Sequence, residues 1–479
     1  MKIYNGGDTV IRKPKEPCPS GNGSEEPVII VGAGLVGSLL GIFLARRGHH
    51  VEIWERRADL RKITTFADRS SINLSLCERG FRALARVDLK ERVQALSVPL
   101  YGRLVHDLEG DLVYQPYGEG GEASYSILRN DLNRALIDCA EQELGVLFHF
   151  EENCLDIDLQ EGVLHFEDTR TGRVHHQKSQ VIFGADGAFS KVRSRLLRIP
   201  GFNYSQQYLD HGYTELNIPK VPQDRWPSPQ PAVHLWPRTR YMLLGLPNLD
   251  GSMVCSLHLP LTGNPSFACL ADEESVAELV QKSFPDVIDL IPGFAEKFFR
   301  REINHLVSIR CFPWTYGGRL ALIGDAAHAV VPFYAQGVNS GFEDCLILDE
   351  CLDEFGEDWS ATLKAYETRR KLDTDAVSEL SIQHFFELSN LVGQPEFHLK
   401  KRIERRLAEL YPDWFVPLYS VVTFSAVPYS EALRRGFHQE ALLQEILSVP
   451  EVSHAPEPEF TRLIEKVAEA SRAKELSET

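Results

Sequence analysis

The 479-residue chain is short of positive charge. Its 51 Lys and Arg face 68 Asp and Glu, a net charge of −17. That balance argues against a nucleic acid or an anionic membrane as partner, and the surplus acid serves solubility. There is no stretch of ~18 consecutive apolar residues to span a bilayer. Residues 1–26 are polar and rich in Pro, Gly and Lys, without the apolar centre of a secretory signal, and read as a loose arm. The nine cysteines are scattered and odd in number, with no C-x-x-C and no zinc-like His/Cys spacing, so no metal is expected. Free thiols of this kind suit a reducing compartment, the cytoplasm. What remains is ordinary globular composition, 43% hydrophobic and 25% charged, in a chain long enough for about three domain-sized units.

Against that background one stretch stands out. Val28-Ile-Ile-Val runs into G-x-G-x-x-G at Gly32, Gly34 and Gly37, an apolar helix follows, and His50-Val-Glu-Ile-Trp-Glu55 forms a second strand ending in an acid. Gly32 allows the tight turn, Gly34 lets backbone approach a pyrophosphate, and Gly37 lets the helix lie against the strand. The helix start offers free N–H groups to phosphate. Glu55 lies about 20 residues beyond Gly34, where an acid meets ribose hydroxyls. Strand, glycine turn, helix, strand and acid together predict a dinucleotide site.

Further along, 80–96 reads as one helix, and 100–106 with 112–114 as paired strands around Glu109-Gly110. A helix is expected from Asn130 to about Glu143, a strand at 146–150, and a hairpin over 154–166 with its turn at 169–173. Gln180-Val-Ile-Phe-Gly-Ala-Asp-Gly187 repeats the strand-then-glycine pattern. From 204 to 305 short alternating segments separated by Pro and Gly predict an antiparallel sheet inserted into an α/β protein. The α/β texture returns at Leu320-Ala-Leu-Ile-Gly-Asp325, and helices are expected over 359–391, 395–410 and 429–447, with the last ~20 residues frayed. Three motifs therefore follow apolar strands: Gly32–Gly37, Gly184–Gly187 with Asp186, and Gly324-Asp325. Strand tips of an open α/β sheet meet at one crevice, so Asp186 and Asp325 are expected beside the ligand of Gly34, where a carboxylate can accept from ribityl or ribose hydroxyls.

This set resembles the flavin-dependent aromatic hydroxylases, single-component FAD monooxygenases. Only one G-x-G-x-x-G occurs, which agrees with a bound FAD and an NADPH that visits and leaves. A closer resemblance covers 28–447. It rests on Ser71-Ile-Asn-Leu, Tyr204-Ser-Gln-Gln-Tyr208, His211-Gly-Tyr-Thr-Glu-Leu216, Leu235-Trp-Pro-Arg238, Leu246-Pro-Asn-Leu-Asp-Gly-Ser252, Gly324-Asp-Ala-Ala-His-Ala329, Gly341-Phe-Glu-Asp344 and Pro417-Leu-Tyr-Ser-Val-Val-Thr-Phe-Ser425. These blocks are similar to the kynurenine 3-monooxygenase family.

The resemblance implies an α/β fold: an FAD-binding Rossmann-like domain at 27–203 and 306–355, a substrate-side antiparallel sheet domain at 204–305 and a helical C-terminal region at 356–479. Its cofactor contacts fall on Val36, Glu55, Arg56, the backbone at Ser75, Arg129, Asp186, Asp325, Val338 and Asn339, beside the three glycines. Arg129 suits the pyrophosphate, and the positive end of a helix over 341–352 would face the flavin pyrimidine. Substrate contacts fall on Arg103, Tyr117 and Tyr419, where the planar guanidinium fits a carboxylate, and on His384, Glu387 and His258. The family has Asn at 384, Met at 388 and Phe at 258, so the two imidazoles either meet a more polar ring substituent or are neutral packing. Two further departures are Ala335 in place of Gly in the 335–339 loop, and Ser70, preceded by Arg69, where an Arg is usual. Animal and fungal relatives end in a membrane helix, but 431–479 is charged and contains none, which marks a soluble form.

The implied activity is NADPH-driven insertion of one O2 oxygen ortho to a ring amino group, on L-kynurenine or on another tryptophan-derived or amino-aromatic substrate. The ring amino group already activates the carbon, so no acid–base residue is assigned. The W-x-W-x-I-P block of a flavin halogenase is absent around all six Trp. A flavin oxidase or reductase and a non-catalytic flavin-binding scaffold stay open as alternatives, separable by NADPH consumption with candidate aromatics.

Overall fold

The computed structural model describes residues 26–62, 72–118, 121–222, 225–291, 293–388 and 395–478. The first 25 residues of the N-terminal arm, and Arg69, Ser70 and Ser71, lie outside them.

Five parallel strands and one antiparallel edge form the central sheet, in the order Thr315–Tyr316, Leu320–Leu322, Val181–Gly184, Val28–Val31, Val51–Glu55, Leu147–Phe150. Val28–Val31 is buried throughout, as a strand covered on both faces must be, which is why it reads as an unbroken β-branched run. Register aligns the three motif strands. Val31 sits opposite Gly184 and Gly184 opposite Leu322, so their following turns emerge side by side at one sheet edge. Gly32 has φ +109°, and a Cβ there would stand 2.5 Å from the Ala185 carbonyl. Only glycine allows this turn to pack on its neighbour.

A seven-stranded sheet carries the other wall, ordered Asn304–Phe312, Asn203–Ile218, Met253–Pro260, Tyr241–Pro247, Val233–Arg238, Gly102–His106, Leu112–Pro116. Its last two strands come from outside 204–305. They pair with each other as expected, but Gly102–His106 also joins Val233–Arg238 in parallel, with Arg103 opposite Val233. The alternation of strand side chains sorts the two faces. Leu104, Trp236, Leu243, Cys255 and Leu257 pack against the helices Glu273–Ser283 and Phe294–Phe299 through Val276, Val280, Phe294 and Phe298. Arg103, Leu235, Leu244, Ser256 and His258 face the opposite way, into the cleft.

Several local expectations change. The helix expected over 80–96 is two, Glu78–Arg86 and Lys90–Gln94, broken where Asp88 takes φ 58° so that Val87 and Leu89 both reach the core. The hairpin near 154–166 is a three-stranded meander, Glu152–Asp158, Val163–Asp168 and Val174–Lys178. The helix expected from 341 starts a turn earlier, spanning Gly337–Phe355. The chain end forms the helix Glu457–Glu478, anchored by Phe460, Ile464 and Ala468, buried at i, i+4 and i+8 against Ile403, Leu407 and Ile446. A helix at Leu418–Phe424 was not foreseen. It packs Val421 and Val422 against Val377 and Leu380 of the long Trp359–Phe386 helix. Among the described residues, no helix is long and apolar enough to cross a membrane.

Candidate active site

Between the two sheets lies a cavity of about 470 Å³, lined on one side by Gly34, Val36, Ser75, Arg129, Asp325 and Val338 and on the other by the cleft face of the seven-stranded sheet, with Tyr117, Tyr334 and Tyr419 closing one end. The three glycine and acid motifs thus share one space.

On the first side, a Cβ added to Gly34 would meet no protein atom within 4 Å, whereas one on Gly37 would stand 2.0 Å from the Gly32 carbonyl. Gly34 is therefore a bare cradle on the cavity wall and Gly37 a packing contact. Val36 wedges between Gly324 and Gly341, whose added Cβ atoms would lie 3.0 and 2.6 Å from it. Glu55 is buried and accepts from the Ala33 N–H at 2.9 Å. Arg57, not Arg56, folds back on it, with Nε 2.8 Å from Oε1, and both arginines are exposed. Asp325 and Arg129 both project into the cavity, and among the described residues neither has an ion-pair partner. An acceptor for hydroxyls and a cation for phosphate beside a glycine cradle fit the ADP and ribityl parts of FAD.

Asp186 is placed differently. Ser190 Oγ donates to Oδ1 at 2.5 Å, and the Lys191 and Val192 N–H groups donate to Oδ2 at 2.6 and 3.2 Å. Its carboxylate caps the helix Lys191–Leu196, and Ala185, Gly187 and Ala188 present that turn to the cavity instead. The N-cap residue itself is Ser190, which accepts from the Arg193 N–H at 2.8 Å, and Asp186 takes the remaining free N–H groups of the first turn from four residues upstream. Asn339 also works through its side chain elsewhere. Nδ2 donates to the Ser75 and Ala335 carbonyls at 2.9 and 2.8 Å, and Oδ1 accepts from the Cys77 N–H at 3.0 Å. It clamps the Asn73–Leu76 strand to the first turn of the Gly337–Phe355 helix and leaves that turn's backbone N–H groups, with the helix dipole, toward the cavity. The same bonds hold Ala335 at φ 52°, a conformation glycine adopts without strain.

At the other end Arg103 lies under an aromatic roof. Its guanidinium carbon is 4.3 Å from the Tyr419 ring centroid, and Tyr419 stacks with Tyr117 and Tyr334 at 5.5 and 5.6 Å. Among the described residues no carboxylate lies within ion-pair distance of Arg103. Behind it sits His384, with Nε2 3.4 Å from Arg103 Nη2 and Nδ1 3.1 Å from Glu387 Oε2. Arginine can only donate, so Nε2 accepts and Nδ1–H donates to Glu387. Burial holds His384 below its ordinary pKa, which keeps it neutral. Burial works against the charge of Glu387, yet His384 and Lys401, whose Nζ is 3.0 Å away, hold it well below the usual carboxylate range. His384 and Glu387 thus stand behind Arg103, while His258 is on a different wall, stacked on Tyr213 at 5.5 Å and touching Phe333.

Beneath the cavity runs a buried polar network that sequence reasoning missed. Asp344 accepts from the Gly324 N–H at 3.0 Å, faces His328 Nε2 at 2.6 Å and pairs with Arg370 Nε at 2.7 Å. Arg370 and Arg79 share Glu343, at 2.7 and 3.0 Å. Arg79 then donates to the Val422 and Val427 carbonyls around the Leu418–Phe424 helix. One chain of charges therefore ties the Gly324-Asp325 turn to the segment that supplies Tyr419. The signal available in sequence was the adjacent acids Glu343-Asp344 near the start of a helix whose other acids, Asp349, Glu350, Asp353 and Glu354, lie in its second half; Tyr334 and Arg57 had no such mark.

The sequence profile of the FAD binding domain family matches residues 25–381. The chain is 44% identical over 427 residues to a kynurenine 3-monooxygenase of Flavobacterium johnsoniae, covering 89% of this chain and 95% of the relative. It is 40% identical over 423 residues to the kynurenine 3-monooxygenase of Myxococcus xanthus, covering 88% and 91%. Among solved structures, 2-methyl-3-hydroxypyridine-5-carboxylic acid oxygenase superposes with a TM-score of 0.62 at 23% identity, over 78% of this chain and 95% of that one. PqsL of P. aeruginosa superposes with a TM-score of 0.61 at 20% identity, over 76% and 96%. These last two speak for the fold. Motif order, cavity chemistry and coverage agree, and the chain belongs to the kynurenine 3-monooxygenase family of FAD-binding proteins.

Proposed function

We propose that the protein is an FAD-dependent, NADPH-using hydroxylase that places one oxygen of O2 ortho to the ring amino group of L-kynurenine, giving 3-hydroxykynurenine. The observation that carries the substrate reading is Arg103, an arginine with no carboxylate at ion-pair distance among the described residues, at the end of a largely apolar cavity, under Tyr117 and Tyr419. A ligand with a carboxylate at one end and a flat ring at the other matches it.

On this reading Gly34 and Arg129 meet the pyrophosphate, Glu55 with Arg57 or Arg56 the adenosine ribose, and Asp325 the ribityl hydroxyls. The backbone of Val338 and Asn339 faces the pyrimidine. Gly32, Gly37, Val36, Ser75 and Asp186 shape the turns around them. When bound, FAD takes electrons from a transient NADPH and activates O2. Arg103, Tyr117 and Tyr419 hold the carboxylate, His384 and Glu387 fix Arg103, and the apolar wall orients the ring and excludes water. The buried free cysteines suit a cytoplasmic enzyme.

The test is NADPH consumption by FAD-loaded protein with L-kynurenine, tryptophan and anthranilate side by side, with product mass. Expected is slow oxidation alone, acceleration by L-kynurenine and a product heavier by one oxygen. Equal rates throughout, with all electrons ending in peroxide, would reject hydroxylation of this substrate.

A further inference from the structure

We infer that Glu215, a carboxyl group on the sheet wall of the cavity, carries a proton while the dinucleotide is bound and releases it when the cofactor leaves, so that FAD binding is linked to proton uptake. The inference rests on the reading of Arg129 as the pyrophosphate cation and goes beyond it by giving a role to an acid on the opposite wall.

Glu215 belongs to the strand Asn203–Ile218 and stands opposite Ser256. Both are on the cleft face with Tyr213, and all three line the cavity. The row that begins at Glu215 crosses the sheet through Ser256, Leu244 and Leu235 to Val105, two residues from Arg103. Four strand spacings at ~4.8 Å therefore separate Glu215 from the strand of Arg103, about 19 Å. A single aromatic amino acid held on Arg103 does not span that distance, so Glu215 faces the cofactor side of the cavity.

Among the described residues no hydrogen bond or ion pair reaches the half-buried Glu215 carboxylate, and neither oxygen is sealed within protein. The titratable groups around it come from four elements. Tyr213 is on its own strand, and His305 lines the cavity from the strand Asn304–Phe312, which Arg301 precedes. Arg129 opens the helix Arg129–Asp138 on the far wall, with Asp325 on the same side. Burial holds Glu215 above the ordinary carboxylate pKa, and Arg301 and Arg129 work against it from beyond pairing distance.

A pyrophosphate on Arg129 cancels one of these two supports and brings negative charge to the same place. The other acids have partners of their own. Glu55 holds Arg57 and the Ala33 N–H, and Asp325 meets the ribityl hydroxyls on the reading above. Glu215 is left with burial, one cation and an anion before it. Burial and a neighbouring like charge both favour the neutral acid. An acid whose pKa is raised by a bound anion makes that anion bind best at low pH, and the advantage is lost as pH rises through the raised value.

Equilibrium dialysis of the FAD-loaded protein between about pH 6 and about pH 8.5 gives the Kd for FAD in wild type and in Glu215→Gln, which keeps the shape and cannot ionise. The two should bind FAD alike at about pH 6, and Glu215→Gln should bind it at least about threefold tighter at about pH 8.5. Asp325 and His305 are present in both proteins, so their own slopes drop out of the ratio. A ratio that does not change with pH, or weaker binding by Glu215→Gln at the alkaline end, means that the carboxylate serves as an anion or not at all. Either result overturns the inference and leaves the Arg129 reading standing. A Glu215→Gln that is folded by circular dichroism but takes no FAD overturns it too. Should the amide variant not fold, Glu215→Ala makes the same comparison. Wild type that holds no FAD overturns the Arg129 reading as well.

Discussion

Arg103 Nη2 and His384 Nε2 lie 3.4 Å apart, so the cation at the end of the cavity leans on a neutral imidazole instead of a carboxylate. The pairing orients the guanidinium without neutralising it. The counter-charge, Glu387, sits one residue further back and is shared with Lys401. Arg103 therefore keeps its charge for a ligand. Truncating one partner of a buried, charge-assisted bond costs about 2–5 kcal/mol. Arg103→Ala should raise KM for L-kynurenine at least about tenfold, with FAD content unchanged. Steady-state kinetics and the flavin spectrum decide this; normal binding by the variant would remove the carboxylate assignment.

His384 acts through Arg103, which gives it a different signature. His384→Asn keeps an acceptor for Arg103 and should hold KM within about threefold of wild type, whereas His384→Leu should raise it by about tenfold by leaving Arg103 without its acceptor while Glu387 keeps Lys401. A His384 that instead read the ring would change the preference between ring-substituted analogues and leave the shared carboxylate end alone. Measuring KM for two analogues with each variant separates the two.

Much of this arrangement is legible in the sequence because it is local. An apolar run followed by a glycine turn announces each of the three strands that end at Val31, Gly184 and Leu322, and parallel register then aligns the turns. Alternation likewise marks Arg103 and His258 as belonging to strand faces. What was not legible depends on pairing between distant segments. Nothing near Gly102–His106 says that it joins Val233–Arg238, and nothing near His384 says that it stops at Arg103. Arg79 and Arg370 look like ordinary helix cations until both are found on Glu343. Asp186 carried two readings, ligand and cap, and the chain after it, Ser190-Lys191-Val192, supplies the cap. The final helix looked frayed because its charges outnumber its three anchors, Phe460, Ile464 and Ala468.

Gly34 and Gly37 share one motif but should fail in different ways. Gly34→Val adds atoms to the open cradle and should yield folded, colourless protein with a wild-type circular dichroism spectrum and no FAD. In Gly37→Val the added Cβ would stand 2.0 Å from the Gly32 carbonyl, so the βαβ unit itself should give way, with loss of soluble protein or of the cooperative melt. Comparable yellow colour in Gly34→Val would contradict a pyrophosphate at that turn.

The Glu343 carboxylate, gripped by Arg79 and Arg370, is the centre of the buried network. Leaving one member of such a pair uncompensated costs about 3–5 kcal/mol. Glu343→Gln should lower the urea midpoint of the FAD-loaded protein by a matching amount. It should also loosen the Leu418–Phe424 helix, seen as earlier hydrogen exchange at Val421 and Val422. A stability within about 0.5 kcal/mol of wild type would mean that the network is dispensable.

His258 also leaves a mark on stability against pH. Its folded pKa of about 3 lies below the ordinary value of 6.5, so between these limits the unfolded chain binds the extra proton. Where the unfolded state binds more protons, stability rises with pH. The contribution of neutral His258 is therefore fully present above about pH 6.5 and is lost progressively as pH falls toward 3. His234, also pushed down to about 3 by burial and then by His106, adds a slope of the same sign and remains in the variant. Phe at 258 cannot titrate. The difference in melting temperature between pH 7.5 and pH 5 should thus be smaller in His258→Phe than in wild type, whatever the absolute stability of the variant. Identical differences would mean that His258 takes up its proton at the same pH in the folded and unfolded chain, so that burial does not hold it neutral.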